Sequence, residues 1–438
     1  MDPVLLGLIG LACMFALIAL HVPVGVAMAV TGIATFAVLA GWGPGLAIVG
    51  VETTSAIESL DFAIIPLFLL MGSLATAAGL STDLYRLANA YLGHRRGGLA
   101  VATIGGCAAF GAVCGSSIAT VATMTRVALP EMLRRGYRPE LAAGSIAAGG
   151  TLGILIPPSI ILVIYAVLAE QFVLKLFVAA VIPGLIAAAL QCVAVGVYVR
   201  LNPGAAPAGE RTPWPERARI TARSWAVLLL GLVVTGGIYG GVFTVTEAAA
   251  VGAATAFLIA LARGQLNRRV LRQVMAETAS NTGMIYLIVI GAFTLTYFLA
   301  LSHMPERTIA WIQGLGLPPL AVIFALYVMY LILGAVFESI AAMVVTLPFV
   351  LPLVIGLGYD PVWWGVMLVM ISGIGLVTPP IGMNVFVLHG MAGELGLGTI
   401  FRGIAPFLVA DLVRMVLLTL FPVLTTWLPE VMEKSGLL

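Results

Sequence analysis

Two segments of similar residue type, 222 positions apart, hold the groups best suited to binding an ion. The first has Ser116-Ser117, then Gly153 and Pro157-Pro158; the second has Glu338-Ser339, then Gly375 and Pro379-Pro380. Hydroxyl and carboxylate oxygens are hard ligands, which suit an alkali cation better than a transition metal. A double proline removes two backbone donors and strains the preceding turn, so a helix breaks there. The break exposes unpaired carbonyls that can replace a sodium ion's water shell. It also exposes a half-helix N-terminus, whose positive end attracts carboxylates.

The two segments are copies. At the 222-residue shift Ser117-Ile118-Ala119 falls on Ser339-Ile340-Ala341 and Leu129-Pro130 on Leu351-Pro352. Gly136-Tyr137 and Pro139 fall on Gly358-Tyr359 and Pro361, Gly153 on Gly375, and Pro157-Pro158 on Pro379-Pro380. Matches concentrated at Gly, Pro and Ser mean that backbone shape was duplicated along with apolar character.

Composition says where this chemistry takes place. Of 438 residues, 61% are hydrophobic and 9% charged, against about 25% charged in soluble domains. Apolar runs of bilayer length recur throughout, so the chain reads as a polytopic helical membrane protein. A net charge of +2 with no basic, aromatic-interleaved stripe argues against nucleic acid as a partner. Cys13, Cys107, Cys114 and Cys192 lie in apolar runs without a CxxC pair and read as buried free thiols. There is no HExxH, no Ser/His/Asp set and no paired Asp, so an enzyme is not expected. The start lacks a basic n-region and stays apolar over residues 4–41, which reads as a retained membrane segment rather than a signal peptide.

The elements that must position these groups follow from hydropathy and charge. Residues 4–20 and 23–41 are expected helices, 42–60 a loop, and 61–80 a third helix. Ser81 to Leu92 reads as an amphipathic surface helix. Arg86, His94, Arg95 and Arg96 precede a stretch almost free of charge, and Arg134, Arg135 and Arg138 follow it. A single crossing would put one basic cluster outside, against the positive-inside rule. Residues about 97–133 are therefore expected to form a re-entrant hairpin that reverses near Gly111, Gly115, Ser116 and Ser117. A broken helix at 140–168, a crossing at 173–199 and a cytoplasmic linker at 201–223 follow. The second half repeats the plan: helices near 225–241, 244–262 and 277–300, a surface segment at 305–315, a hairpin at about 318–356, a broken helix at 362–388 and a crossing at 404–428. Residues 1–200 and 224–438 thus read as two inverted repeats, each of about five transmembrane helices plus one hairpin. The expected fold class is an all-α polytopic membrane protein of the secondary-transporter kind.

Gly115-Ser116-Ser117-Ile118-Ala119-Thr120 and Gly153-Ile154-Leu155-Ile156-Pro157-Pro158-Ser159 resemble motifs of a known family. So do Phe62-Ala63-Ile64-Ile65-Pro66-Leu67-Phe68 and Gly375-Leu376-Val377-Thr378-Pro379-Pro380-Ile381-Gly382-Met383-Asn384. The family is the large membrane subunit of tripartite ATP-independent periplasmic (TRAP) transporters, and the resemblance covers essentially the whole chain. One departure is Val245 before Thr246-Glu247, where the family usually has proline. The resemblance implies an elevator-type importer of the bacterial inner membrane, driven by sodium. It implies as partners a small four-helix membrane subunit, a periplasmic binding protein and a small organic acid, with lipid around. By resemblance one sodium site uses Ser116, Ser117, Gly153, Ile156 and Pro158, and the other Gly334, Gly375, Thr378 and Ile381. Candidate substrate contacts are Ser117, Thr120, Ser159, Glu338, Ser339 and Asn384. The alternative is a stand-alone sodium-coupled divalent organic anion transporter of elevator type.

Plainer readings stand beside these. Ser116 and Ser117 could serve close helix packing, and Gly153 and Gly375 could be packing glycines. Asn384 could bond a freed carbonyl or touch substrate, and Glu338 could cap the returning half-helix. Glu247 resembles an ordinary helix-start acid. Arg126 could attract an anion or snorkel to the surface. Asp411 and Arg414 are spaced for a salt bridge.

Overall fold

A computed structural model describes residues 3–436, and every regular element among them is a helix. The first half comprises α1 (Pro3–Ala19), α2 (Val24–Ala40), α3 (Trp42–Glu58), α4 (Leu60–Ala77) and α5 (Leu80–Leu92). It continues with α6 (Gly98–Cys114), α7 (Ser117–Val127), α8 (Leu129–Arg134), α9 (Pro139–Gly150), α10 (Leu152–Leu155), α11 (Ile160–Leu168) and α12 (Val173–Leu201). The linker contains α13 (Trp214–Arg223). The second half begins with α14 (Trp225–Gly231), a π-turn at Leu232–Gly236, α15 (Gly237–Tyr239), α16 (Val245–Ala262), α17 (Arg268–Ser302) and α18 (Met304–Gly314). It ends with α19 (Pro319–Val336), α20 (Ser339–Gly356), α21 (Pro361–Gly375), α22 (Met383–Met391), α23 (Leu397–Leu420) and α24 (Val423–Lys434). Eight spans among the described residues are long and apolar enough to cross a membrane.

Element boundaries follow the 222-residue shift closely. Gly98–Cys114 corresponds to Pro319–Val336, Ser117–Arg134 to Ser339–Gly356, Pro139–Gly150 to the start of Pro361–Gly375, and Ile160–Leu168 to Met383–Met391. Gly and Pro set these boundaries, and Gly and Pro are what the copies share.

Three expectations are corrected. Residues 42–60 form helix α3 rather than a loop. Its Gly43-Pro44-Gly45 start reads as a turn in sequence, but proline is tolerated in a first helical turn. Trp42, Leu46 and Ile57 are exposed along one side and Val51 on another, while Glu52 is buried and accepts a 2.9 Å hydrogen bond from the Tyr297 hydroxyl. The helix expected near 277–300 begins earlier, at Arg268, so that Arg268, Arg269 and Arg272 lie in the first turns of α17, capped by the Asn267 side chain on the Val270 N–H at 2.9 Å. The last long helix stops at Leu420 and the rest folds as α24, because Pro422 cannot continue it.

Two packed groups emerge. In one, α2 lies along α17 and α4 along α16. A methyl on Gly25 would collide with the Leu287 backbone and one on Gly291 with Gly25, so these helices meet backbone to backbone. In the other, α9 packs on α6 and α23, α12 on α23 and α21, and α19 on α21. Every residue of α21 from Val362 to Gly375 is buried, Trp363 and Trp364 included. The groups meet where α4 touches α6 and α11 and where α17 touches α20.

The basic clusters share one face. The Gly209 N–H donates to Gly93 O at 3.2 Å and the Arg138 N–H to Ala205 O at 2.9 Å, so one linker touches both ends of the α6–α8 hairpin. Arg263, at the end of α16, reaches Asp83 Oδ2 at 2.6 Å and Ala78 O at 3.1 Å. The positive-inside rule leads one to expect such a face on the cytoplasmic side. Helix α5, tied down by Arg263, buries Leu80, Ser81, Leu84, Tyr85 and Ala90. Its counterpart α18 buries Met304 alone and has no ion pair among the described residues.

Candidate ion and substrate site

The first hairpin turns in two residues. Gly115 sits at φ 62°, a conformation that glycine adopts without penalty, and Ser116 is extended. The Ser116 hydroxyl accepts the Ala119 N–H at 3.3 Å, an N-cap for α7. Its carbonyl accepts the Thr120 N–H at 3.2 Å and the Thr120 hydroxyl at 2.7 Å. Ser117 takes another partner: its Oγ accepts from Asn384 Nδ2 at 2.8 Å and donates to Oδ1 at 3.1 Å.

The first broken helix lies against this tip. Ser159 bridges the break, donating to Ile154 O at 2.5 Å and accepting the Leu162 N–H at 3.4 Å. Gly153 faces the hairpin. A methyl there would lie 2.9 Å from Thr120 Oγ1, 3.0 Å from Ser116 O and 3.3 Å from Gly111 Cα. The missing side chain leaves a cradle lined by a hydroxyl and a carbonyl. A methyl on Gly115 would stand 3.3 Å from Pro158 O, which places that carbonyl beside the turn. Ser116, Thr120, Gly153 and Pro158 therefore converge. Ile156 points its side chain at Gly184 of α12, so only its backbone could serve an ion.

The second copy keeps the backbone plan but changes the side chains. A methyl on Gly375 would lie 2.8 Å from Gly334 Cα, so hairpin and break again touch through glycines. The Thr378 hydroxyl donates to Ile374 O at 2.6 Å, and the Gly382 N–H to Ala335 O at 3.4 Å. Glu338 caps α20 through the Ala341 N–H at 3.3 Å, from the position matching Ser116. Both Pro-Pro bonds are cis. Pro157 and Pro158 are buried, whereas Pro379, Pro380 and Ile381 are exposed.

Ser339 shows where the copies part. Its hydroxyl is buried and has no partner among the described residues. Ser117, its equivalent, has Asn384. The 222-residue shift puts Leu162 where Asn384 stands, and leucine offers no hydrogen bond.

Two cavities flank the α7 and α20 helices. One, of about 640 Å³, lies between α4, α7 and the start of α17; it contains Ser116 at its wall, with Thr76, Thr123, Arg126 and Asn281. It includes Gln265 of the Arg263 turn, and so lies toward the face that carries the basic clusters. Arg126 is exposed and has no ion-pair partner among the described residues. The other cavity, of about 620 Å³, contains Glu52, Glu170, Tyr297 and Glu306. It reaches Val344 of α20 but neither Glu338 nor Ser339. No group of three His, Cys, Asp or Glu side chains converges among the described residues. Any cation here relies on carbonyls and hydroxyls.

Sequence reading missed Gln191. It is fully buried on α12 and donates from Nε2 to Ala148 O at 3.2 Å. Asn384 Nδ2 donates to the neighbouring Ala147 O, also at 3.2 Å. A lone amide within an apolar span was the available signal. Glu247 is structural as read, forming a capping box with Thr244 that secures the helix entry without proline.

The family model described as "Tripartite ATP-independent periplasmic transporter, DctM component" matches residues 11–424. The C4-dicarboxylate TRAP transporter large permease protein DctM of Pseudomonas aeruginosa is 36% identical over 375 residues, covering 84% of this chain and 85% of that protein. The isethionate TRAP transporter permease protein DctMQ of Oleidesulfovibrio alaskensis is 34% identical over 386 residues, covering 87% of this chain and 60% of that longer protein. Among solved structures, the Alcanivorax borkumensis YdaH transporter aligns with a TM-score of 0.62 at 15% identity, over 87% of this chain and 88% of that one. That likeness concerns fold alone.

Proposed function

The chain belongs to the DctM component family of tripartite ATP-independent periplasmic transporters, a family of multi-pass inner-membrane permeases. On that premise we propose that it is the large permease of a sodium-coupled importer of a small organic acid, working by an elevator mechanism. The observation that carries this reading is the placement of Ser116. It caps the hairpin, turns its carbonyl toward the Gly153 cradle, and lines a cavity toward the face that carries the basic clusters.

Sodium and acid are cargo in this reading. One sodium is held at Ser116, Thr120, Gly153 and the Pro158 carbonyl; the other at Gly334, Gly375, Thr378 and Ile381. The acid sits between the hairpin tips near Ser117, Ser339 and Asn384, and leaves past Arg126. Each net charge carried inward gains about 2.3 kcal/mol per 100 mV of membrane potential. The group of α6–α12 and α19–α23 is the moving body, and α2, α4, α16 and α17 are the fixed frame. Inversion of the two halves would let one hairpin serve each face. A periplasmic binding protein delivers the acid. A small membrane subunit flanks the frame, in keeping with a relative that is longer and named DctMQ. Relatives named for C4-dicarboxylate and isethionate support an anionic cargo.

The test is uptake of labelled organic acids into proteoliposomes holding this chain, the small subunit and the binding protein. Uptake that needs both an inward sodium gradient and the binding protein supports the proposal. Sodium-driven uptake without the binding protein would replace it with a stand-alone transporter.

A further inference from the structure

Helix α9 stops at Gly150, three residues before the Gly153 cradle, and its last carbonyls lack a full set of helical partners. Side chains from two other helices take them up. Asn384 of α22 holds Ala147 O, and Gln191 of α12 holds Ala148 O, each at 3.2 Å. Ala148 O also receives the Thr151 N–H at 3.0 Å and the Thr151 hydroxyl at 2.7 Å.

Behind Gln191 lies a buried ion pair. On α23, Arg414 Nη2 meets Asp411 Oδ1 at 3.0 Å, with both side chains 2% exposed. Helix α12, which carries Gln191, packs along α23. Arg414 Nε and Nη1, Asp411 Oδ2 and Gln191 Oε1 are buried and have no hydrogen-bond partner among the described residues. An incompletely bonded buried pair is a poor stabiliser; apolar residues of similar volume often do as well or better. The cluster therefore calls for an account other than stability.

We propose that Gln191, oriented by the Asp411–Arg414 pair, is a positioning residue for the cation cradle at Gly153. It fixes the end of α9 from the α12 side while Asn384 fixes it from the α22 side. The cradle is the space that a methyl on Gly153 would fill, 2.9 Å from the Thr120 hydroxyl and 3.0 Å from the Ser116 carbonyl, so a small tilt of the α9 end changes its size. Helix α23 is well placed to transmit that constraint: a methyl on Gly144 of α9 would collide with the Gly403 backbone, so the two helices are locked together. This inference rests on the sodium reading above.

The test uses the full chain with its small membrane subunit in lipid nanodiscs, and measures the thermal midpoint against NaCl at constant ionic strength, with KCl as the replacement salt. Gln191→Met keeps the length and removes the amide. It is expected to raise the sodium concentration for half-maximal stabilisation about tenfold, the lower end for loss of an outer-shell partner. The double variant Asp411→Leu/Arg414→Met is expected to raise it too, while the midpoint without sodium holds or rises. A purely structural role would give the opposite: a lower sodium-free midpoint with the sodium dependence unchanged, and that result overturns the proposal. If Gln191→Met does not fold, the double variant decides alone. Wild-type protein that shows no sodium-specific shift would overturn the sodium reading itself, and this inference with it.

Discussion

Asn384 and Ser117, 267 positions apart, are joined by a 2.8 Å hydrogen bond from amide to hydroxyl, with both side chains buried. The Asn384 backbone N–H also donates to Leu376 O at 3.0 Å, at the end of α21. One residue thus closes the break in its own half and fastens the hairpin tip of the other.

Replacing Asn384 with Leu should leave Ser117 Oγ and Ala147 O without these partners. The expected cost is about 1–3 kcal/mol for each buried group left unsatisfied. Thermal unfolding should show a lower midpoint, and sodium-driven uptake should fall sharply. Unchanged uptake would mean that hairpin and break do not need this tie.

Gly153→Ala puts a methyl 2.9 Å from Thr120 Oγ1 and 3.0 Å from Ser116 O, inside the cradle. Uptake should be abolished while the protein still folds. Gly105→Ala is the control, because nothing lies within 4 Å of its added methyl. That change should leave uptake intact and raise stability by about 0.5–1 kcal/mol, since Gly105 lies within helix α6. Equal uptake by both variants would remove the cradle from the mechanism.

Ser339→Ala separates packing from ligation. The hydroxyl has no partner among the described residues, so deleting it should leave the midpoint unchanged or higher. If Ser339 contacts cargo, uptake should nevertheless drop and the apparent KM for the acid should rise. A stable variant with normal kinetics would make this serine a bystander.

Arg126→Gln removes an unpaired charge from the wall of the cavity that lies toward the basic face. Efflux of a preloaded dicarboxylate from proteoliposomes should slow more than efflux of a monocarboxylate, and added salt should blunt the difference. Equal slowing of both acids would point to packing rather than charge.

The copied segments, both double prolines and the tip serines were legible because glycine, proline and capping residues act through the backbone, which sequence alone records. Helix α3 was not: Gly43-Pro44-Gly45 has the composition of a turn, and only the exposed Trp42, Leu46 and Val51 with the buried Glu52 give it away. Gln191 gave only the signal of a lone amide in an apolar span, and its contact was not legible for another reason. Its partner is a carbonyl that any residue at position 148 would supply, so no pattern of residue types marks the contact. Sequence alone has Leu162 at the position matching Asn384, but that the Ser339 hydroxyl is buried without a partner shows only in the fold.

The tie between Arg263 and α5 has a mechanical consequence. Residue 263 corresponds to Gly41 in the other half and Asp83 to Pro305, so this ion pair cannot recur at α18. Helix α5 is therefore fastened at its root to α16, and α18 lacks that fastening among the described residues. If the group of α6–α12 and α19–α23 slides as proposed, a load on it would displace α18 before α5.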